Sequence, residues 1–151
     1  MPPAAATHLR LALARPGVVA GHFRVRFDGP RRAARLLSWV YPRLRPLGIV
    51  YGDAAIFTTR AAYEAVGGMQ PYPIFEDLDL LGRLRRRGRV AAVSVEVLTS
   101  SRRFHHGSLG WTFARWTAMQ LGYWAGVSPH RLGRWYATQS ALDARRAARS
   151  R

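Results

Sequence analysis

Acidic side chains are scarce in this chain of 151 residues, and most of them fall in one stretch. Eight Asp and Glu residues stand against 24 basic residues, which gives a formal net charge of +16. Five of the eight lie between residues 51 and 90, namely Asp53, Glu64, Glu76, Asp77 and Asp79. Carboxylates can act as general bases, bind cations or cap helices. Their concentration beside glycines and aromatic residues predicts a functional site rather than a solvated face.

Two short elements are predicted to follow the first of these carboxylates. Residues 56–58 form a β-prone run directly after Gly52 and Asp53. Residues 60–66 are typical of a short helix, and Gly67-Gly68 can end it in the left-handed conformation. The Gly52-Asp53 pair is therefore expected in a turn that leads into a strand.

A longer helix is predicted to begin at Glu76. Two prolines make residues 69–75 a loop. The acids then occupy the first turn of a helix and arginines crowd its last turn before Gly88, which complements the helix dipole. Its predicted apolar side consists of Leu78, Leu81 and Leu84. Residues 89–98 follow as a predicted buried strand.

The flanking segments complete an α/β pattern. Residues 7–14 predict a helix, and residues 18–27 alternate as a strand with one apolar face. A basic amphipathic helix is predicted over 31–40. Residues 108–127 form an apolar segment of helical length with three tryptophans, and Ser128-Pro129 is typical of the start of another helix.

A basic turn follows the last predicted strand. It contains Arg102, Arg103, His105 and His106 just before a glycine. Arginine binds phosphate through two parallel hydrogen bonds, so this group can form a diphosphate clamp. A solvated basic turn is the alternative interpretation. Metal binding by the two adjacent histidines is the weaker hypothesis, because it needs a third ligand nearby.

The ordered series from Gly52 to Gly88 resembles glycosyltransferase family 2. The series is Gly-Asp, a β run, a short helix ending in Gly-Gly, a proline loop, then Glu-Asp-x-Asp-Leu opening an arginine-rich helix. The resemblance covers roughly residues 16–136. It implies an α/β fold with a partial GT-A-like mixed sheet flanked by helices and a C-terminal helical pair. The implied division is an acceptor-side portion, 1–107, followed by amphipathic helices and a basic tail, 108–151.

The resemblance also implies an inverting transfer of a sugar from a nucleotide-sugar donor to an acceptor hydroxyl. Asp77 would be the catalytic base, and Glu76 would orient the acceptor or the loop. Gly52 and Asp53 would shape the substrate site. Contacts to donor phosphates or acceptor are expected from the basic turn, that is, from Arg102, Arg103, His105 and His106. A lipid or lipid-linked acceptor is one expectation.

The family's divalent cation, Mg²⁺ or Mn²⁺, is expected for the complete enzyme. Its Asp-x-Asp ligands end a strand in the family, whereas Asp77-Leu78-Asp79 is predicted to open a helix, where residues two apart do not face the same way. We therefore do not assign this triplet to a metal. The chain is expected to lack the nucleotide-binding half that precedes the acceptor half in the family, and to be inactive alone.

Composition leaves two alternatives to an enzyme. All the basic residues are arginine, and this charge attracts polyanions, so a nucleic-acid-binding module or a non-catalytic, membrane-associated module is possible. No specific nucleic-acid motif is present. The chain has no cysteine, no predicted signal peptide and no long apolar run. These features predict a cytoplasmic protein, with peripheral contact at an anionic membrane, the inner face of the plasma membrane, as a further expectation.

Overall fold

A computed structural model describes residues 4–28, 32–44, 49–100 and 109–138. These residues form an α/β fold with a three-stranded mixed sheet, flanking helices and further helices toward the C-terminus. They divide into two compact units. The sheet unit contains the described residues between 4 and 70 and between 77 and 100, and the helical unit contains 71–76 and 109–138. The predicted fold class is confirmed.

The sheet unit is built around its central strand. Strand β1, Val18–Phe27, pairs with β2, Phe57–Thr58, in antiparallel fashion and with β3, Arg89–Thr99, in parallel fashion. The strand order is therefore β2-β1-β3. Gly21 of β1 lies opposite both Phe57 and Ala91. A Cβ atom at Gly21 would lie 2.8 Å from the carbonyl oxygen of Ala91 and would overlap the Phe57 ring, so glycine is needed for this close packing.

Helices cover both faces of β1. On one face, Phe23 packs with Val93 and Val97 of β3 and with buried alanines of α1, Ala5–Leu13. On the other face, Ala20 packs with Leu80 and Leu84 of α4, Glu76–Arg85. The predicted leucine side of α4 is confirmed, because Leu78, Leu81 and Leu84 are all buried. This packing fixes α4, and with it the acidic residues of its first turn, against the sheet.

Two predicted elements differ from the structure. Strand β3 was predicted to be buried, but it lies at the edge of the described sheet and alternates, with Val93 and Val97 buried and Leu98 64% exposed. Helix α2, Arg32–Leu44, continues beyond its predicted end and contains Pro42. A proline near the C-terminal end of a helix removes one backbone donor, but here it does not stop the last turn.

The short helix α3, Arg60–Ala65, begins at the predicted residue, ends one residue before its predicted bound, and is closed by Gly67-Gly68 as predicted. The Thr59 side chain accepts a hydrogen bond from the backbone N–H of Ala62, 3.1 Å away, as an N-cap. Gly67 and Gly68 both have positive φ, 74° and 67°. Gly68 N–H donates to the Tyr63 carbonyl and Gly67 N–H to the Glu64 carbonyl, which is the Schellman pattern.

The helical unit consists of residues 71–76 of the proline loop and two helices, α5, Leu109–Trp124, and α6, residues 129–138. The Phe75 ring is 2% exposed and its centroid lies 5.0 Å from that of Tyr123. The Ser128 hydroxyl accepts from the Arg131 N–H at the start of α6, as predicted for an N-cap. None of the helices in the described parts of the chain has the length and apolar content to cross a membrane.

Candidate active site

The candidate site lies in the sheet unit, where the turn before β2 meets the start of α4. A single 3-10 turn, Gly52–Ala54, follows an extended Tyr51. The backbone N–H of Gly52 donates a hydrogen bond to Oδ2 of Asp77, 2.5 Å away and 25 residues later in the chain. The structure therefore brings together two of the residues that the sequence assigned to the site.

The Asp77 carboxylate is held by a second backbone donor. Its Oδ1 accepts from the N–H of Leu78 at 2.7 Å. The first N–H groups of a helix have no partner within the helix, so a carboxylate at this position satisfies one of them. These two backbone donors therefore fix the direction of the Asp77 carboxylate.

Tyr51 is the member of this site that the sequence analysis missed. Burial, and secondarily the negative charge of Asp77, raises the pKa of the Tyr51 phenol from its ordinary 10.0 to about 12. The phenol is therefore protonated at neutral pH and adds no negative charge beside the carboxylate. The available signal was its position directly before Gly52-Asp53, an aromatic residue adjoining the predicted turn.

Gly52 leaves space for the carboxylate. A Cβ atom at Gly52 would lie 3.3 Å from Oδ2 of Asp77, which is closer than ordinary contact. Any side chain at this position would therefore push against Asp77. The neighbouring Asp53 side chain is exposed in the same turn, and its role in shaping the site stays a prediction.

Asp79 has a different environment two positions further along α4. Its Oδ2 lies 2.8 Å from Nε and 2.7 Å from the second guanidinium nitrogen of Arg83, and both side chains are mostly buried. The same guanidinium also donates to the carbonyl of Val66 at the end of α3. Asp79 therefore neutralises an arginine that joins two helices, which is a structural role.

The Asp77-Leu78-Asp79 triplet does not fit the cation of the resembled family. The Asp79 carboxylate is occupied by Arg83, while Asp77 accepts from backbone N–H groups. Across residues 4–28, 32–44, 49–100 and 109–138, no group of three or more acidic or histidine side chains could hold a metal ion. No step of a reaction is therefore assigned to a metal bound by these residues.

The remaining predicted site residues occupy two places in the chain. Glu76 is the first residue of α4 and is half-buried, directly before Asp77. The basic turn lies outside the described residues, and with it Arg102, Arg103, His105 and His106. Their assignments to donor or acceptor binding stay predictions.

Two non-glycine residues that lie close to the site in the sequence adopt positive φ. Ala55 has φ 47° just after the 3-10 turn, and Phe75 has φ 62° just before Glu76. Such conformations cost on the order of 1–3 kcal/mol each and are concentrated at functional sites. Both segments that carry the site's residues are therefore held in uncommon backbone geometry.

Comparisons of this chain with protein-family models, with curated proteins and with solved structures find no match. The functional argument therefore rests on the residues themselves and on the geometry around Asp77.

Proposed function

We propose that this chain is the acceptor-side portion of an inverting, nucleotide-sugar-dependent glycosyltransferase of the family 2 type, with Asp77 as its catalytic base. The observation that supports this proposal best is the position of the Asp77 carboxylate. It lies at the start of α4, where the N–H groups of Gly52 and Leu78 fix both of its oxygens. A general base must first be positioned within reach of the proton that it accepts, and its pKa is considered after that. Backbone N–H donors fix the position of a carboxylate without adding charge.

In the proposed reaction, the Asp77 carboxylate acts as a base in a single step. Asp77 takes the proton of the acceptor hydroxyl while the acceptor oxygen forms a bond to the anomeric carbon of the donor sugar. The bond from that carbon to the nucleotide diphosphate breaks on the opposite face, and the electron pair leaves with the diphosphate. The configuration at the anomeric carbon is thereby inverted. The proton on Asp77 is then lost to solvent.

The other residues have supporting roles in this proposal. Glu76 orients the acceptor or the loop, and Gly52 and Asp53 shape the acceptor side of the site. The basic turn meets the phosphates of donor or acceptor through Arg102, Arg103, His105 and His106. The complete enzyme uses Mg²⁺ or Mn²⁺ with the donor diphosphate, and the ligands for that ion are not among the described residues.

Asp77 is a better candidate for the base than Asp79. The Arg83 guanidinium lies against Oδ2 of the Asp79 carboxylate, and this contact blocks the approach of an acceptor hydroxyl to that oxygen. Asp77 accepts from the backbone N–H of Gly52 at a turn that a substrate can approach, because Gly52 and Asp53 are exposed.

The test compares Asp77→Asn with Asp79→Asn in the native protein, isolated from its own cells together with whatever chain or segment provides the donor side. Asp77→Asn keeps a side-chain oxygen for the Gly52 N–H but removes the base. We expect transfer to fall about 10²–10⁴-fold, the usual contribution of a general base, with nucleotide-sugar binding nearly unchanged.

Asp79→Asn is the matched control, because it removes the same charge from the same helix. We expect it to retain transfer. Transfer at the wild-type rate in Asp77→Asn would remove Asp77 from the role of base. Equal losses in both variants, accompanied by weaker donor binding, would indicate a general disturbance of α4 instead.

A further inference from the structure

Helix α5 exposes an uncharged, mostly apolar stripe along its length. Trp111, Leu121 and Trp124 are each 54% exposed, and Val127, just beyond the helix, is 37% exposed. The exposed positions between them carry no charge, and they are Ala114, Thr117, Ala118, Ala125 and Gly126. We call the set of residues 111, 114, 117, 118, 121, 124 and 125 the α5 stripe.

Helix α5 buries polar side chains together with the apolar Met119, which is 1% exposed. Thr112 and Gln120 are buried at 9% and 5% exposure, and the Arg115 guanidinium lies 5.2 Å from the centre of the Tyr136 ring in α6. A surface helix normally turns its apolar side inward and its polar side to water. Here two polar side chains are buried while two of the three indole rings, those of Trp111 and Trp124, are exposed, and an apolar surface of this kind marks an interaction site.

The composition of this part of the chain indicates which partner covers the stripe. Residues 108–151 contain seven arginines and a single acidic residue, Asp143. On α6, Arg131 and Arg134 are exposed beside Trp135, which is itself 40% exposed. Exposed tryptophan combined with arginine suits the boundary between water and an anionic bilayer, where indole rings sit among headgroups and arginines meet lipid phosphates.

We propose that the α5 stripe docks this protein on the surface of an anionic lipid bilayer, with the arginines of α6 strengthening the contact. The 16 residues of α5 give a length of about 24 Å, and the helix lies along the interface rather than across it. This docking does not depend on the role of Asp77, and it would place a glycosyltransferase at lipid or lipid-linked acceptors.

Helix α2 also has an exposed tryptophan, and it fits the proposal less well. Trp39 is 57% exposed, but the Arg43 guanidinium lies 3.7 Å from the centre of its ring. Arg35 is also exposed on this helix. The outward surface of α2 is therefore interrupted by charge, whereas the α5 stripe has none.

The test measures binding of the full chain to sedimented vesicles of phosphatidylcholine with and without phosphatidylglycerol. We expect binding to the anionic vesicles to be at least about ten-fold tighter and to weaken with salt, because part of the attraction is electrostatic. The double change Leu121→Ser and Trp124→Ser should weaken that binding by about ten-fold or more, since two apolar side chains lose their burial in the interface. Arg131→Gln should weaken it about five-fold.

Matched controls separate the stripe from general hydrophobicity. Leu11→Ser changes a side chain of α1 that is 60% exposed, and Trp39→Ser changes the exposed indole of α2. Both should leave vesicle binding unchanged. Asp77→Asn should also leave it unchanged, so that failure of docking and failure of the proposed transfer remain distinguishable. Circular dichroism of each variant checks that the fold is retained.

Three results would overturn the proposal. The first is equal affinity for both kinds of vesicle, and the second is loss of binding in Trp39→Ser rather than in the α5 double variant. The third is a dimer in sedimentation experiments that the double variant dissociates, because a second copy of the chain would then cover the stripe instead of lipid.

Discussion

Asp77 and Asp79 are the same residue type, two positions apart on one helix, and their surroundings differ. Asp77 accepts hydrogen bonds from two neutral backbone groups, the N–H of Gly52 and of Leu78. Asp79 lies against the guanidinium of Arg83, which also binds the Val66 carbonyl. The first carboxylate joins an exposed turn to the start of α4, whereas the second neutralises a mostly buried arginine between α3 and α4.

This comparison shows that the hydrogen-bond donors around a carboxylate, and not the residue type alone, determine its role. A guanidinium occupies the lone pairs that a proton would need, whereas backbone N–H groups at a helix start fix the direction of a carboxylate. A pair of acids with regular spacing therefore divides into one candidate base and one structural group.

We expect the largest effect on stability from a change at Arg83, the partner of Asp79. Arg83→Ala removes hydrogen bonds to Asp79 and to the Val66 carbonyl and leaves a mostly buried carboxylate without its cation. Hydrogen bonds to charged groups contribute about 1.5–3 kcal/mol each, so we expect a loss of about 2–3 kcal/mol in the free energy of unfolding measured in urea.

Arg87→Ala is the control for that measurement. Arg87 is exposed and donates to the Ala65 carbonyl at 3.1 Å, so its loss should cost less than about 1 kcal/mol. Equal effects of the two arginine changes would mean that the Asp79–Arg83 pair does not hold α3 and α4 together.

A smaller effect is expected from Asp77. Asp77→Ala removes the acceptor for the N–H groups of Gly52 and Leu78, whereas Asp77→Asn keeps a side-chain oxygen for one of them. Loss of a helix-start acceptor costs about 1 kcal/mol, so Asp77→Ala should unfold at lower urea concentration than Asp77→Asn. If the two variants are equally stable, the Gly52–Asp77 hydrogen bond contributes nothing to the fold.

The smallest change in stability is expected for Gly52→Ala. The new Cβ would press on Oδ2 of Asp77 from 3.3 Å, but the loss of glycine's freedom in the unfolded chain has the opposite effect, about 0.4–1 kcal/mol. We expect a net change within about 0.5 kcal/mol and a fall in transfer of about ten-fold, because the carboxylate is displaced. Unchanged transfer would show that the position of Asp77 is not critical.

Alkaline pH gives a further prediction for the same site. The folded state raises the pKa of Tyr51 from 10.0 to about 12, so it holds a proton that the unfolded chain releases. This contribution to stability is fully present below about pH 10 and is lost as the pH rises through 12. Tyr51→Phe should remove that part of the pH dependence, which urea unfolding at a series of pH values would detect.

Much of the sheet unit could be predicted because its signals are local. The alternation of β1, the leucine spacing of α4 and the Gly67-Gly68 end of α3 each depend on residues a few positions apart. The predicted placement of Asp77 at a helix start depends on the same kind of signal, and the structure confirms it.

The contacts that define the site could not be predicted in the same way. The hydrogen bond between Gly52 and Asp77 joins residues 25 positions apart, and the influence of Asp77 on Tyr51 links the same two segments. The exposure of β3 depends on its position at the edge of the sheet that the described residues form, which a run of apolar residues does not reveal. The outward indoles of α5 were likewise ambiguous, since an apolar helix with three tryptophans could equally have been core.

The most direct test of the site is a titration of the Tyr51 phenol in the wild-type chain, in Asp77→Asn and in Asp79→Asn, followed by ultraviolet absorbance with Tyr51→Phe as the reference. In the wild type we expect a pKa of about 12. Asp77→Asn should lower it toward 10, though not fully, because burial is the larger cause of the shift. Asp79→Asn should leave it unchanged. If the Tyr51 pKa is the same in the wild type and in Asp77→Asn, the two side chains do not share a site, and the case for Asp77 as a positioned base fails.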